Sequence, residues 1–600
     1  MKKKKRGNLA IFIALLLVFI TIIGINAYNI VSDNTNSSST AETNTIIQAV
    51  KKATVEDSET EVQHLRDKSV LYENDDLEPI VMYLTVTKGN DVEGTNHTWN
   101  EVNTYSAFYY DELGIDRYKV NALLQVGTEE GIPAGSLGYG RTKPNATVQI
   151  RGQTSSYNVQ KNYKIEFKKD QGSWNGQKTI ALNKHQTDGL RFRNKMGYDL
   201  LKDVDQLMSL RTQFVHLYVN DLTDGYDDGF EDYGLYTQVE QLNKTALRTH
   251  GLDKYGQLYK INLFEFFKYE DVIKLKGDSS YDAAAFEELL EVKGDNDHYK
   301  LMAMLDDLND ESMPIEEVLD RHFDRENLTY WLAFNILTGN ADTQSRNAYL
   351  YSPKNSDIWY FLCWDLDGMF RYTENQVRNI NDYGSWEIGV SNYWGNVLFR
   401  RCLQSEDFRK ELDDAINDLR TGVLSKESLT DRVDAYRKVV ETYTWAYPDM
   451  KNEVLTKEQY DVVADSVPDL VDKYYQQYLV SLERPMPFFL GVPTVIDGRL
   501  RINWSESFDF QQEPIRYKVV LSTDLYGQNI IGSYEGSNTE FYADIPGPGE
   551  YFIIANAYDA SGNSQDCFDY YLIDGLGKVY GTLPFYVNQD GTIEIYEVTE

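Results

Sequence analysis

The chain has 600 residues, is 42 % hydrophobic and 13 % aromatic, and carries a net charge of −35. That content supports large cores and excludes global disorder, and the length exceeds the roughly 250–300 residues at which one core stops growing, so several domains are expected. The acidity repels nucleic acid and anionic lipid, so no nucleic-acid partner is expected. The only cysteines, Cys363, Cys402 and Cys567, form neither a disulfide framework nor a zinc-ligand spacing.

The N-terminus opens on Met1-Lys2-Lys3-Lys4-Lys5-Arg6, followed by the uncharged apolar run Leu9–Ile25. Clustered basic residues stay on the cytoplasmic side. The run is long for a signal peptide and just long enough to span a bilayer. The expectation is a transmembrane signal anchor within residues 1–27, with the C-terminal bulk outside the cell membrane. Cleavage near Ala27, giving a secreted protein, is the alternative. Residues 28–75 are rich in Ser, Thr, Asn, Asp and Glu and read as a polar linker.

Strand-like runs follow at Ile80–Val86, Tyr118–Val126 and Thr147–Ile150. In Tyr163–Phe167 a period of two places Tyr163, Ile165 and Phe167 on one face, Lys164 and Glu166 on the other. A helix is expected over Arg191–Lys202, then strands at Thr212–Val219 and Gly234–Val239. Residues 151–202 hold 11 Lys/Arg against 4 Asp/Glu, a basic island of excess +7. Such an island suits a polyphosphate ligand; the alternative is a solvated basic face.

Residues 314–319 and 327–337 carry apolar side chains at helical spacing, and Gly339 is positioned to end the second helix. That delivers Gly339-Asn340-Ala341-Asp342-Thr343-Gln344-Ser345-Arg346-Asn347 onto a loop, where catalytic groups commonly lie. The apolar run Ile358–Trp364 then leads into Trp364-Asp365-Leu366-Asp367. Further helices are expected at about 397–420, 426–446 and 457–483. After the boundary at Pro485–Pro487, short strands at Leu500–Trp504, Tyr517–Leu521, Phe541–Ala543 and Tyr551–Ala555 predict a β-sandwich over 488–576, with a hairpin-like β tail over 577–600.

An Asp, an Asn five residues later and a further Asp after a strand is the order protein kinases use for the group that takes the substrate hydroxyl proton and for two metal ligands. Hard carboxylate and amide oxygens are what Mg²⁺ requires. Two carboxylates in a Trp-Asp-Leu-Asp setting are costly to bury without a cation or donors; helix capping or a structural Ca²⁺ are the other readings. Two more blocks stand upstream: Ile150-Arg151-Gly152-Gln153-Thr154-Ser155-Ser156 leading into Gln160–Phe167, and Tyr233-Gly234-Leu235-Tyr236-Thr237-Gln238-Val239-Glu240. In this order, over residues 78–480, the chain resembles the CotH family of atypical secreted protein kinases known from spore coats.

The resemblance implies an α+β fold with a bilobal kinase-like domain: an antiparallel-sheet N-lobe over 76–250 and a helical C-lobe over 251–485. It implies ATP with Mg²⁺ or Mn²⁺ as cofactors and a protein Ser/Thr hydroxyl as acceptor. Asp342 is the implied catalytic base or orienting group, Asn347 and Asp365 the metal ligands, with Asp367 a secondary ligand. Lys161 best matches the phosphate-contacting lysine and Lys164 is its rival. Arg151 and Ser155 belong to the Arg-Gly turn expected to line the same pocket. Glu240 stands where a purine edge would be read between the lobes, or caps the next helix. The early Trp504, Tyr517 and the Pro-Gly-Pro-Gly-Glu-Tyr turn resemble fibronectin type III domains. An inactive kinase-like surface protein that binds a protein partner or an envelope polymer is the alternative function. Glycoside hydrolysis by paired carboxylates leaves Asn347 and the basic island without a role.

Overall fold

In the first strand, β1 (Ile80–Thr87), the apolar residues Met82, Leu84 and Val86 recur at every second position and are fully buried. This is the period at which a strand presents one face to a core. The same alternation recurs in β3 (Ala146–Arg151) and β4 (Asn162–Phe167), whereas β2 (Lys119–Gly127), β5 (Thr179–Asn183), β6 (Thr212–Asp221) and β7 (Glu231–Glu240) carry continuous buried runs, covered on both faces. The seven form a closed barrel in the order β1-β2-β3-β4-β5-β7-β6. All neighbours are antiparallel except β1 and β6, whose parallel pairing closes the ring. Closure removes the exposed sheet edges that an open antiparallel sheet would leave. Tyr163, Ile165 and Phe167 point into this core, as their spacing predicts.

This is a computed structural model, and it describes residues 64–73, 77–380, 383–573 and 577–595. The proposed signal anchor at Leu9–Ile25 lies outside the described residues. Among the described residues no helix is long and apolar enough to cross a membrane.

A second sheet, order β11-β10-β8-β9, is built from β8 (Gln257–Ile261), β9 (Leu290–Val292), β10 (Ala348–Ser352) and β11 (Tyr360–Cys363). Helix Arg325–Thr338 packs on β11, and Glu406–Thr421 and Lys457–Glu483 pack on that helix; Val397–Gln404 lies against Glu406–Thr421, and Lys426–Thr444 packs between Lys457–Glu483 and barrel strand β7. Asp324 caps Arg325–Thr338 by accepting from the Asn327 amide. Gly339 ends it in the left-handed region at φ 64°, where an added Cβ would also strike the Tyr474 ring at 2.2 Å. The region expected as one helix at 397–420 is two, because Ser405 turns the chain and caps the second by accepting from the Phe408 amide.

The basic island divides: Lys169 and Lys178 are solvated, but the stretch from Lys184 to Lys195 is not a solvated face. Lys184 pairs with Asp449 at 2.5 Å, Arg191 with Glu453 at 3.0 Å, Arg193 with Glu374 at 2.5 Å and Lys195 with Asp199 at 3.1 Å, all with buried side chains. Three of these four pairs tie the stretch 184–193 to segments about two hundred residues later in the chain.

The C-terminal strands form a three-stranded sheet, β12 (Thr494–Ile496), β13 (Arg499–Asn503) and β16 (Glu540–Ala543). A larger sheet holds β14 (Arg516–Ser522), β15 (Ile530–Gly536), β17 (Gly549–Tyr558), β18 (Ser564–Asp566), β21 (Thr582–Val587) and β22 (Ile593–Ile595). A separate pair joins β19 (Tyr570–Ile573) to β20 (Gly577–Tyr580). Leu500 and Ile502 of the first sheet share one core with Val519, Leu521 and Ile553 of the second. β21 hydrogen-bonds along β17, so the segment read as a tail contributes a strand to this larger sheet.

Candidate active site

Strands β10 and β11 run antiparallel, and Ala348 pairs with Cys363. Asn347 immediately precedes the first strand and Trp364-Asp365 immediately follows the second. The pairing therefore sets the end of the Asp342–Asn347 loop beside the Asp365–Asp367 turn, at one edge of the sheet. Within the loop, Nδ2 of Asn347 donates to Oδ2 of Asp342 at 2.9 Å, and Nε of Arg346 lies 3.6 Å from Oδ1. Asp342 remains open to solvent, with a side chain 60 % exposed.

The loop is braced from behind. Asn392 donates to the Ala341 carbonyl and Asn396 to the Gln344 carbonyl, each at 2.8 Å. The Thr343 hydroxyl meets the Tyr393 hydroxyl at 2.8 Å. Asn347 at φ 53°, Asp365 at φ 56° and His185 at φ 50° all occupy the left-handed region, which few residues other than glycine adopt. Such strain collects at functional sites, held by the surrounding structure.

That support is visible beneath the acid turn. The helix Arg193–Leu201 packs on it so closely that a Cβ at Gly197 would lie 2.7 Å from Leu366 Cβ and 2.6 Å from Met369 Cε. Arg193, fully buried, bonds Asp188 and Glu374 and donates to the Phe370 carbonyl at 3.2 Å. Tyr198 accepts a hydrogen bond from the Asp365 backbone.

The electrostatics of the turn are asymmetric. Asp365 is exposed at the turn and Asp367 half-buried, so neither is sealed from water; within this setting the nearby protein and the charge of Asp367 push the Asp365 carboxyl up, against the pull of His185, Arg151 and Lys260. Burial also works against the Asp367 charge, but His185, with Nδ1 3.4 Å from Oδ2, and Arg371 and Arg193 hold it below the usual carboxylate range. Arg151 is in turn pushed down by burial and partly sustained by Asp365. The end of barrel strand β3 thus faces the acid turn, as do Lys260 of β8 and the His185 ring.

These residues fit a hard divalent cation. Asp365 and Asp367 offer carboxylate oxygens, and Asn347, which donates through Nδ2, keeps its amide oxygen available as an acceptor. Among the described residues no three His, Cys, Asp or Glu side chains gather into a metal cage. Mg²⁺ is commonly held by one or two carboxylates with the remaining positions filled by water and substrate phosphates.

The other residues named from the sequence are placed differently. The Lys161 amine donates to the Ser156 carbonyl at 2.6 Å, and burial lowers its pKa. Lys164 faces away from the barrel interior and pairs with Glu166 at 3.1 Å. The Ser155 hydroxyl accepts from Asn162 at 3.0 Å. Glu240, 1 % exposed, is bound by Arg211 and by His250, whose Nε2 lies 2.9 Å away. The following helix, Lys244–Thr249, is capped by Asn243, not by Glu240. Of the basic residues proposed for phosphate, only Arg151 bears on the acid turn as a leading charge. His185, Lys260, Arg193, Asn392 and Asn396 escaped the sequence reading. Arg193 at least lies in the basic island; nothing local marks the others.

The model of the CotH kinase protein family matches residues 148–477, more than half of the chain. The chain belongs to the CotH kinase family. A curated relative, inner spore coat protein H of Bacillus subtilis (strain 168), is 21 % identical over 322 residues, covering 53 % of this chain and 82 % of the relative. The CotH match contains Arg151, Asp342, Asn347, Asp365 and Asp367, and ends before the C-terminal sheets, so the fibronectin type III likeness of those sheets rests on sequence pattern alone.

Proposed function

We propose that this CotH family member is a bilobal, metal-dependent protein kinase that moves the ATP γ-phosphoryl group to a Ser or Thr hydroxyl of a protein. The observation that carries this reading is the β10–β11 pairing, which brings the end of the Asp342–Asn347 loop beside the Asp365–Asp367 turn, within reach of the charges of Arg151 and Lys260. Bound Mg²⁺ or Mn²⁺ would supply charge neutralisation of the phosphates. Asn347, Asp365 and Asp367 would hold it. Arg151 from the barrel and Lys260 from β8, the strand beside β10, would hold phosphate oxygens. Asp342, kept oriented by Asn347, would accept the acceptor hydroxyl's proton. Catalysis of this type is mainly positioning and electrostatics, which fits a rigidly braced loop.

A surface location is part of the proposal. It is supported by the basic and apolar N-terminal pattern and by the name of the B. subtilis relative, a spore coat protein. The test is a nucleotide-dependent melting shift with Mg²⁺ or Mn²⁺, together with transfer of labelled phosphate from ATP to a panel of secreted proteins. A metal-dependent shift and label transfer, both lost in Asp365→Ala, are expected. Absence of any shift with ATP and either metal would overturn the reading in favour of an inactive surface binder.

A further inference from the structure

Residues 64–72, near the end of the polar stretch that follows the apolar N-terminal run, lie on the folded body as a strap. Leu65 is 4 % exposed and joins the large core that holds helix Arg325–Thr338. Its backbone amide donates to Oδ2 of Asp324 at 3.2 Å, while Oδ1 of the same carboxylate caps that helix. Asp67, in the middle of the strap, has both carboxylate oxygens engaged. Nδ1 of His250 lies 2.6 Å from Oδ1; the Ser209 amide donates to Oδ2 at 3.1 Å and the Tyr72 hydroxyl at 2.5 Å. The Lys202 amine lies over the Tyr72 ring, 5.2 Å from its centroid.

From these two anchor points, hydrogen bonds run to the acid turn along two routes. On the first, Asp67 holds the Ser209 amide, the Ser209 hydroxyl donates to the Tyr198 carbonyl at 2.6 Å, and the Tyr198 hydroxyl meets the Asp365 backbone. Ser209 and the whole helix that carries Tyr198 are buried. On the second, Asp324 caps a helix whose first turn presents Asn327. Oδ1 of Asn327 accepts from the Phe361 amide at 2.7 Å, and its Nδ2 donates to the Phe361 carbonyl at 3.2 Å. Phe361 belongs to β11, which ends at Cys363, two residues before Asp365. The opposite end of the same helix delivers the Asp342–Asn347 loop.

The acid turn needs such support. Asp365 sits at φ 56° beside a second carboxylate, Asp367, and a residue held in that region relaxes unless its surroundings fix it. Chains of hydrogen bonds and packed elements can carry that constraint over a distance. We propose that residues 64–72 form a clasp that holds the acid turn in its binding conformation, with Asp67 a positioning residue that acts through Ser209 and Tyr198. The clasp lies outside the stretch that matches the CotH family, residues 148–477, so the matched region by itself lacks this support. That the turn binds a cation and a nucleotide rests on the proposed kinase function; that residues 64–72 set its conformation does not.

The test compares the full chain with its Asp67→Ala, Tyr72→Phe and Arg66→Ala variants. Amide hydrogen exchange without nucleotide reads local opening of the turn directly. Asp67→Ala is expected to speed exchange over residues 364–370 by about tenfold or more, the effect of losing hydrogen bonds to a charged group, while β3 and β4 exchange as in the parent. Tyr72→Phe removes one hydrogen bond to Asp67 and keeps the ring, so it should shift the same residues by a smaller factor, and it serves if Asp67→Ala does not fold. Arg66→Ala removes an exposed ion pair with Glu326 at 3.8 Å and should match the parent. Affinity for Mn²⁺ with ATP, measured by calorimetry where all four proteins are folded, should fall in the same order, which lost stability alone would not produce. Exchange accelerated only within the strap, or equally throughout the chain, would overturn the proposal. If the parent binds no nucleotide, the kinase reading fails and the exchange result alone decides the clasp.

Discussion

Asn347 and Asp342 are joined side chain to side chain, Nδ2 to Oδ2 at 2.9 Å, across a loop whose Ala341 and Gln344 carbonyls are held from behind by Asn392 and Asn396 and whose Thr343 hydroxyl is held by Tyr393. One residue, Asn347, therefore orients the proposed base through its amide nitrogen while leaving its oxygen for a cation. The two roles share a side chain, so neither can be altered alone by removing it.

Asn347→Ala is expected to lower phosphoryl transfer by about 10²-fold or more, the range general-base and positioning groups command. The melting temperature without nucleotide should fall modestly, since alanine tolerates φ 53° less well than asparagine, so activity is compared at a temperature where both proteins are folded. Turnover near that of the parent, measured at saturating ATP and metal, would count against the assigned role.

Gly197→Ala places a methyl group 2.7 Å from Leu366 Cβ, in a packed region where neighbours cannot easily retreat. Overpacking of this kind costs about 1–3 kcal/mol. The urea midpoint should fall, and metal–nucleotide affinity should fall with it, because the atoms displaced belong to the acid turn. A stability loss with undiminished affinity would show that the helix does not set the turn's position.

Arg193 balances Asp188 and Glu374 where all three side chains are inaccessible to solvent. Arg193→Leu leaves both acids without it, and breaking a buried pair this way costs about 3–5 kcal/mol. Arg371 and Arg378 stay near Glu374 and would soften the effect. Denaturant unfolding measures it, and a loss below about 1 kcal/mol would show that the neighbouring arginines substitute fully.

The Glu240–His250 pair predicts a two-sided pH dependence. Burial alone would raise Glu240, but hydrogen bonds and charge from His250 and Arg211 hold it at about 2, below its ordinary 4.5. Burial alone would lower His250, but Asp67 and Glu240 raise it from 6.5 to about 9. The Glu240 contribution to stability is complete above 4.5 and disappears as pH falls through about 2. The His250 contribution is complete below 6.5 and is lost as pH rises through about 9. Unfolding free energy measured across this range should lose its alkaline limb in His250→Gln. An unchanged alkaline limb would refute the linkage.

Much of the secondary structure was legible because it is local. Period-two burial in β4 and the cap-to-glycine frame of Arg325–Thr338 follow from backbone geometry and from which side chains exclude water. The order and spacing of Asp342, Asn347 and Asp365 were likewise legible, and they lie within the stretch that matches the CotH family. What local spacing cannot express is which distant segments meet. Closure of the barrel depends on β1 pairing parallel with β6, a contact more than a hundred residues long in sequence. The lysine beside the aromatic of β4 looked the natural phosphate ligand, yet its amine turns to the Ser156 carbonyl, while Arg151 and Lys260 meet the acid turn from two different sheets. The basic island reads as one charged stretch along the chain, but burial forces its cations to find acids far away in sequence, because a charge removed from water must be compensated where it lies. Local spacing was enough for most strands and helices and for the family, because both rest on residues near one another in the chain; which charges surround the acid turn was left to tertiary packing, because those charges arrive from segments far apart in sequence.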